Sequence, residues 1–170
     1  MRNIYLIGMM GSGKSVTGKK LAALLGYEFL DLDDRIQEQS RRTIPDIFEK
    51  EGEDYFRDQE AAVLRTACEL PRHVIATGGG SILRPENVQR MHKTGKIVYL
   101  ETSPEVLWER VRGRKDRPLI QGENPQENLV AILSKRKAIY EKVCDLRVGT
   151  DGQSPEAVAK KIMDALAKAL

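Results

Sequence analysis

Short apolar runs recur along the chain, separated by longer stretches whose apolar residues return at helical spacing. The runs Ile4–Ile7, Phe29–Leu32, Val74–Ala76, Ile97–Leu100 and Asp145–Val148 read as strands. Helical patterns cover Lys14 to Leu25, the segment after the acids at 31–34 through Leu70, Glu86 to His92, Pro104 to Val111, Gln126 to Lys142, and the tail from Pro155. Five strands alternating with helices predict an α/β fold of three layers, a parallel sheet covered on both faces. Ligands of such sheets bind beyond the carboxyl ends of the strands. Gly8–Ser15, Asp31–Asp34 and Gly78–Ser81 each follow an apolar run and therefore open on that side.

Composition narrows the field. The 170 residues suit one domain, and 41% apolar with 31% charged residues suits a globular chain. The net charge is +3, and the 28 basic residues are scattered without a basic tail, which speaks against nucleic acid as the main partner. Neither a leader nor a membrane span can be read from the apolar runs, so a cytoplasmic protein is expected. Two cysteines and two histidines without metal-ligand spacing predict reduced thiols and no zinc site.

The stretch GMMGSGKS, Gly8 to Ser15, follows a strand and opens a helix, which is the context a phosphate loop requires. Successive backbone N–H groups and the helix N-terminus converge on an anion there, and Gly8, Gly11 and Gly13 let the backbone wrap it. Lys14 is placed to neutralise the β- and γ-phosphates of a nucleotide, and the Ser15 hydroxyl to ligate Mg²⁺; switch GTPases, motor ATPases and small-molecule kinases share such a loop. No acid follows the VIATGGG run. The acids stand instead in FLDLDD. Alternation along a strand points Asp31 and Asp33 the same way, Asp31 toward Mg²⁺ and Asp33 toward an acceptor, with Asp34 as the cap of the next helix. Three ordinary capping acids would give the same spelling.

Arg57 lies at the edge of an apolar stripe formed by Phe56, Val63, Ala67 and Leu70, with Glu60 three residues on to orient its guanidinium toward a carboxylate; the spacing alone favours a plain surface ion pair. Arg136 continues the stripe Leu129, Leu133, Tyr140 and should face inward, where its charge needs a protein acid or a bound anion, or snorkels along the edge. The polar segment Gly113–Asn124, near Arg110, Arg112, Arg114, Lys115 and Arg117, has the composition of a cationic flap and also that of an ordinary solvated loop. The three glycines at 78–80 are either a flexible turn or a place where something lies against bare backbone.

Together these residues resemble the shikimate kinase family over nearly the whole length. The likeness runs through GMMGSGKS, DLDDRIQEQ, TIPDIFEKEGEDYFRDQE, VIATGGGSIL, RPLI and RKAIYEKVCDLRV. Ile44, Ile47, Phe48, Gly52, Glu53, Phe56, Arg57 and Glu60 stand at the family's spacing, a far more specific pattern than the phosphate loop. The resemblance implies a nucleoside-monophosphate-kinase-like fold with strand order 2-3-1-4-5, an acceptor region at about 31–61 and a flap at about 112–124. It implies transfer of the ATP γ-phosphate to the 3-hydroxyl of shikimate; Mg²⁺ is expected with ATP, and a monomer is expected although the sequence does not report oligomeric state. The nucleotide contacts it implies are Gly11, Ser12, Gly13, Lys14, Ser15, Val16, Arg110, Arg117 and Pro155. Asp33, Arg57, Gly79, Gly80 and Arg136 would hold shikimate, with Asp33, Lys14 and Arg117 catalytic and Ser15 and Asp31 at the metal. Val16 stands where Ser or Thr is more usual. Two alternatives stay open: a related small-molecule kinase such as one for gluconate, or a nucleotide-binding module without catalysis.

Overall fold

The computed structural model describes residues 2–114, 116 and 118–168. Five parallel strands, β1 (Asn3–Ile7), β2 (Glu28–Asp31), β3 (His73–Ala76), β4 (Gly95–Glu101) and β5 (Leu146–Gly149), lie in the order β2-β3-β1-β4-β5. Helices α1 (Lys14–Leu25), α2 (Leu32–Ser40), α3 (Ile44–Ala67), α4 (Pro85–Thr94), α5 (Pro104–Val111), α6 (Pro125–Val143) and α7 (Pro155–Lys168) connect and cover them. The expected architecture and strand order are both present.

Alternation along the strands divides the core. Tyr5, Ile7, Ile75, Ile97 and Tyr99 face α2, α3, α4 and α6, meeting Leu32, Ile47, Phe56, Leu64, Met91 and Tyr140. Ile4, Leu6, Val74, Val98 and Leu100 face α1 and α7, meeting Leu21, Ala22, Val158 and Ile162. A third apolar cluster joins Met9 of the phosphate loop to Leu107, Val111, Ile120, Leu129 and Leu133.

Register brings the functional loops level. Ala76 of β3 pairs with Leu6 on one side and Asp31 on the other, so the chain leaves β1, β2 and β3 at one height. The phosphate loop, the acids and the glycine triplet therefore open side by side.

Three boundaries differ from expectation. β2 ends at Asp31 and Leu32 opens α2, because the Asp31 side chain accepts the Asp33 N–H and caps the helix. Asp31, not Asp34, is thus the cap, and Asp33 is aimed by a helix rather than by strand alternation. Helix α3 stops at Ala67, leaving Leu70 exposed beyond it. The segment expected to be polar flap holds a short 3-10 turn, Pro118–Ile120, whose Ile120 is buried in the third cluster.

Candidate active site

The phosphate loop is shaped by glycines in left-handed backbone. Gly11 (φ 82°) and Gly13 (φ 89°) adopt conformations that side chains rarely tolerate, and a Cβ on Gly11 would stand 2.7 Å from Val111. Lys14 Nζ donates to the carbonyls of Gly8 and Met9, both at 2.9 Å, which holds the ammonium over the loop at the start of α1. Ser15 Oγ donates to Asp31 Oδ2 at 2.5 Å, while Asp31 Oδ1 accepts the Asp33 N–H at 3.0 Å. One carboxylate therefore ties the phosphate loop to the helix that carries Asp33. Partial desolvation and the neighbouring carboxylates of Asp31 and Asp33 hold the Asp34 carboxyl above its ordinary value.

Two adjoining cavities follow. One is lined by Gly11, Gly13, Lys14, Ser15, Val16, Asp31, Asp33, Asp34 and Arg110 among others. Its neighbour is lined by Met10, Ile44, Phe48, Phe56, Pro118 and Leu119 on apolar walls, and by Asp33, Arg57, Gly78, Gly79, Gly80, Asp116 and Arg136 on polar ones. Met10, Asp33, Ile44, Gly79 and Asp116 border both, so the two form one cleft with Asp33 at the join.

Behind the glycines lies a buried charge network. Arg57 Nη1 bonds Glu60 Oε2 at 2.9 Å, and its Nη2 and Nε bond Glu53 Oε1 at 3.0 and 3.2 Å. Glu60 is 1% exposed and its Oε1 accepts from Ser81 Oγ at 2.7 Å. Burial pushes the Glu60 carboxyl up, opposed by Arg57 and by the Ser81 hydroxyl. Burial works against the Arg57 charge, but Glu60 and Glu53 outweigh it and hold the guanidinium above its ordinary value. Arg57 is thus a buried, doubly braced cation rather than a surface partner of Glu60.

Arg136 differs. It is 6% exposed, and no carboxylate among the described residues lies within ion-pair distance of it. Its Nη1 reaches the open face of Gly79 instead. Of the alternatives left by its spacing, the inward one is present, with no protein acid facing it among the described residues. A cation held this way costs free energy until an anion meets it.

The glycine triplet is explained one residue at a time. A Cβ on Gly78 would overlap Glu60 Oε1 and stand 3.2 Å from Asp33 Oδ1. On Gly80 it would overlap the Arg57 guanidinium, its contacts falling at 2.4–2.6 Å. On Gly79 it would lie 3.4 Å from Arg136 Nη1, 3.4 Å from the Gly8 carbonyl and 3.5 Å from Tyr140 Oη. Each missing side chain leaves the space into which a charged group of the site projects. The sequence marks bare backbone there but not these neighbours, because they come from α2, α3 and α6.

Beyond the phosphate loop a third groove is lined by Ser12, Gly13, Val16, Thr17, Arg110, Thr150, Gln153, Pro155 and Val158. Arg110 Nη1 donates to the Gly11 carbonyl at 3.0 Å, which brings it against the loop. Val16, half exposed, forms part of the wall. Gln153 was not expected. Its Nε2 donates to the Gly149 carbonyl at 2.8 Å and its Oε1 is buried without a hydrogen-bond partner among the described residues. No motif marks a lone glutamine after β5, so its placement needs the fold. The buried Ser12 Oγ likewise lacks a partner among the described residues. Arg117 lies outside the described residues, as does Lys115. Of the flap arginines, Arg114 pairs with Asp116 at 2.7 Å.

The metal expectation can be tested on the donor set. Among the described residues no group of three or more His, Cys, Asp or Glu could by itself cage a cation. A hydroxyl and a carboxylate in contact at the mouth of the phosphate loop do fit Mg²⁺, which takes few protein oxygens and completes its shell with phosphates and water.

A phosphate loop on the central strand of a 2-3-1-4-5 parallel sheet, joined to a second cavity beside it, defines a small P-loop kinase of the nucleoside-monophosphate-kinase-like kind. The family model described as shikimate kinase matches residues 10–167. A shikimate kinase of Thermodesulfovibrio yellowstonii is 45% identical over 163 residues, covering 96% of this chain and 94% of the relative. The solved structure of the shikimate kinase from Acinetobacter baumannii in complex with shikimate superposes with a TM-score of 0.97 at 40% identity, over 99% of this chain and 94% of that one. The chain belongs to the shikimate kinase family. A gluconokinase from Sinorhizobium meliloti, at 21% identity and a TM-score of 0.63, shares the fold alone.

Proposed function

We propose that this chain transfers the γ-phosphoryl group of ATP to the 3-hydroxyl of shikimate. The observation that carries the reading is Arg136, a buried guanidinium with no acid facing it among the described residues, at one end of a cleft whose other end is the phosphate loop. Shikimate brings a carboxylate for that cation and for Arg57, whose planar forks suit such a group. Its ring matches the apolar walls of Met10, Ile44, Phe48, Phe56, Pro118 and Leu119. Gluconate also has a carboxylate but is an open polyol, for which six apolar wall residues supply no partner.

In this reading Gly79 and Gly80 form the floor on which the ring rests. Asp33, at the join of the two cavities, takes the 3-hydroxyl and accepts or aligns its proton as it attacks. Lys14 turns its ammonium to the β- and γ-phosphates, and the loop amides of Gly11 to Ser15 hold the phosphate chain. Arg110 and Pro155 border the adenine, with Ser12, Val16 and the unpartnered Gln153 Oε1 in the same groove. Ser15 and Asp31 would hold Mg²⁺, which would supply charge neutralisation to the phosphate chain. Arg117 is the proposed flap cation at the transferring group. The chemistry asks little more of the protein than position and charge.

The test is a coupled assay of ATP consumption with shikimate, gluconate and no acceptor, at equal concentrations. Turnover with shikimate far above both others is expected. Equal or greater turnover with gluconate would favour the polyol reading, and consumption of ATP indifferent to acceptor would leave a nucleotide-binding module.

A further inference from the structure

Tyr140 is fully buried, one helical turn beyond Arg136 on α6, and its ring stacks on Tyr99 with centroids 5.0 Å apart and planes 18° from parallel. Its hydroxyl donates to the Gly79 carbonyl at 2.5 Å, across 61 residues of sequence. Arg136 Nη1 and Tyr140 Oη lie against the same side of Gly79, 3.4 and 3.5 Å from where its Cβ would stand, and the Gly8 carbonyl of the phosphate loop is 3.4 Å from that point. Three elements that the reaction must keep in register therefore meet at one glycine: the helix carrying the carboxylate anchor, the floor of the acceptor cleft, and the loop that holds ATP.

From this junction we infer that Tyr140 is a positioning residue: through the Gly79 carbonyl it sets the distance between the Arg136 anchor and the floor beneath the acceptor hydroxyl. The inference rests on the reading of that cleft as the shikimate site and deepens it. A phenol is suited to the task. Its ring is locked by packing on Tyr99, so the hydroxyl has little freedom, and burial pushes its ionisation far above the ordinary range, so it stays a donor at every working pH. A hydrogen bond from a locked donor fixes the carbonyl, and with it the direction of the peptide that follows into Gly80. Without that bond the glycine floor could turn while Arg136 kept its place, and an acceptor bound by its carboxylate would present its hydroxyl off line.

The test is Tyr140→Phe, which deletes the hydroxyl and keeps the ring and its stacking. Shikimate KM should rise on the order of five- to tenfold, with a matching fall in kcat/KM, while ATP KM stays within error. Melting temperature is measured on the same samples to show that folding is retained. In an Arg136→Ala background the same change should add no further rise, because the anchor whose register it sets is gone. Tyr99→Phe, which keeps the stack and touches no glycine of the triplet, serves as control and should leave both KM values unchanged. An unaltered shikimate KM in Tyr140→Phe, equal rises for both substrates, or a full-sized effect persisting without Arg136 would each overturn the inference. Wild-type protein inactive with shikimate would instead remove the functional reading itself, and the inference with it.

Discussion

Arg57 and Arg136 are both buried cations facing the same cleft, yet they are held in opposite ways. Arg57 is neutralised in place by Glu60 and Glu53, so it arrives oriented and its charge is already compensated. Arg136 meets no carboxylate among the described residues. Truncating the uncompensated one should therefore cost the acceptor more: Arg136→Ala is expected to raise shikimate KM about a hundredfold, in line with loss of a desolvated charge pair, and to leave ATP KM unchanged. Asp33→Asn should show the reverse split, with kcat lower by about two to four decades and nucleotide affinity retained. Steady-state kinetics with each substrate varied in turn checks both. Arg136 was legible in the sequence because its spacing along one helix placed it on an apolar stripe. Tyr140 and Gln153 were not, since what makes them matter is a carbonyl or a groove contributed from elsewhere in the chain.

At the scale of elements the break in α3 carries the most consequence. Gly52 has φ 83° and ψ 174°, a backbone conformation essentially reserved for glycine, and it divides the helix just before Glu53. Glu53, Arg57 and Glu60 all follow the break and pair at helical spacings of four and three, so the bend sets where that half of the helix carries Arg57 against Gly80. No atom lies within 4 Å of where a Cβ on Gly52 would stand, so the glycine answers to backbone angle and not to crowding. Gly52→Ala should cost about 1–3 kcal/mol of strain, lowering Tm by several degrees at about 2–4 °C per kcal/mol for a chain of this size. Shikimate KM should rise with it, because Arg57 loses its register. Thermal melting and shikimate titration check the pair. The glycine was visible in the spacing of the sequence pattern, but a helical period cannot report a kink. The same limit explains β2, where one side chain closing a cap moved the strand end and gave Asp33 to a helix.

Across the whole molecule, the parallel sheet could be read because β1, β3 and β4 are built on continuous apolar runs and every connection is helical, while the edge strands β2 and β5 mix in charged residues and the strand order came only with the family resemblance. Global stability should carry a pH signature from the sheet's far edge. Asp145 accepts the Ile97 N–H at 2.8 Å and Lys96 Nζ at 3.0 Å, joining the start of β4 to the approach to β5. Burial alone would raise its carboxyl, but the Ile97 N–H and Lys96 outweigh it and hold it below the ordinary value. A depressed carboxylate stabilises the fold above its unfolded value and loses that contribution as pH falls through the folded one. Asp145→Asn should therefore melt a few degrees lower near neutral pH, a loss of about 1 kcal/mol, with the gap closing below about pH 4, where an unfolded aspartate protonates. Melting curves of both proteins across pH check the sign. The glycine triplet, finally, bears on how this cleft could come to accept another molecule. Since Gly78 and Gly80 are matched to Glu60 and Arg57 atom against atom, a side chain at either position needs a shorter or displaced partner at the same time. Single substitutions there end in lost packing, so a change of acceptor must proceed through paired changes on β3's loop and α3, or enter at Gly79, where a methyl group meets contacts of 3.4 Å and longer.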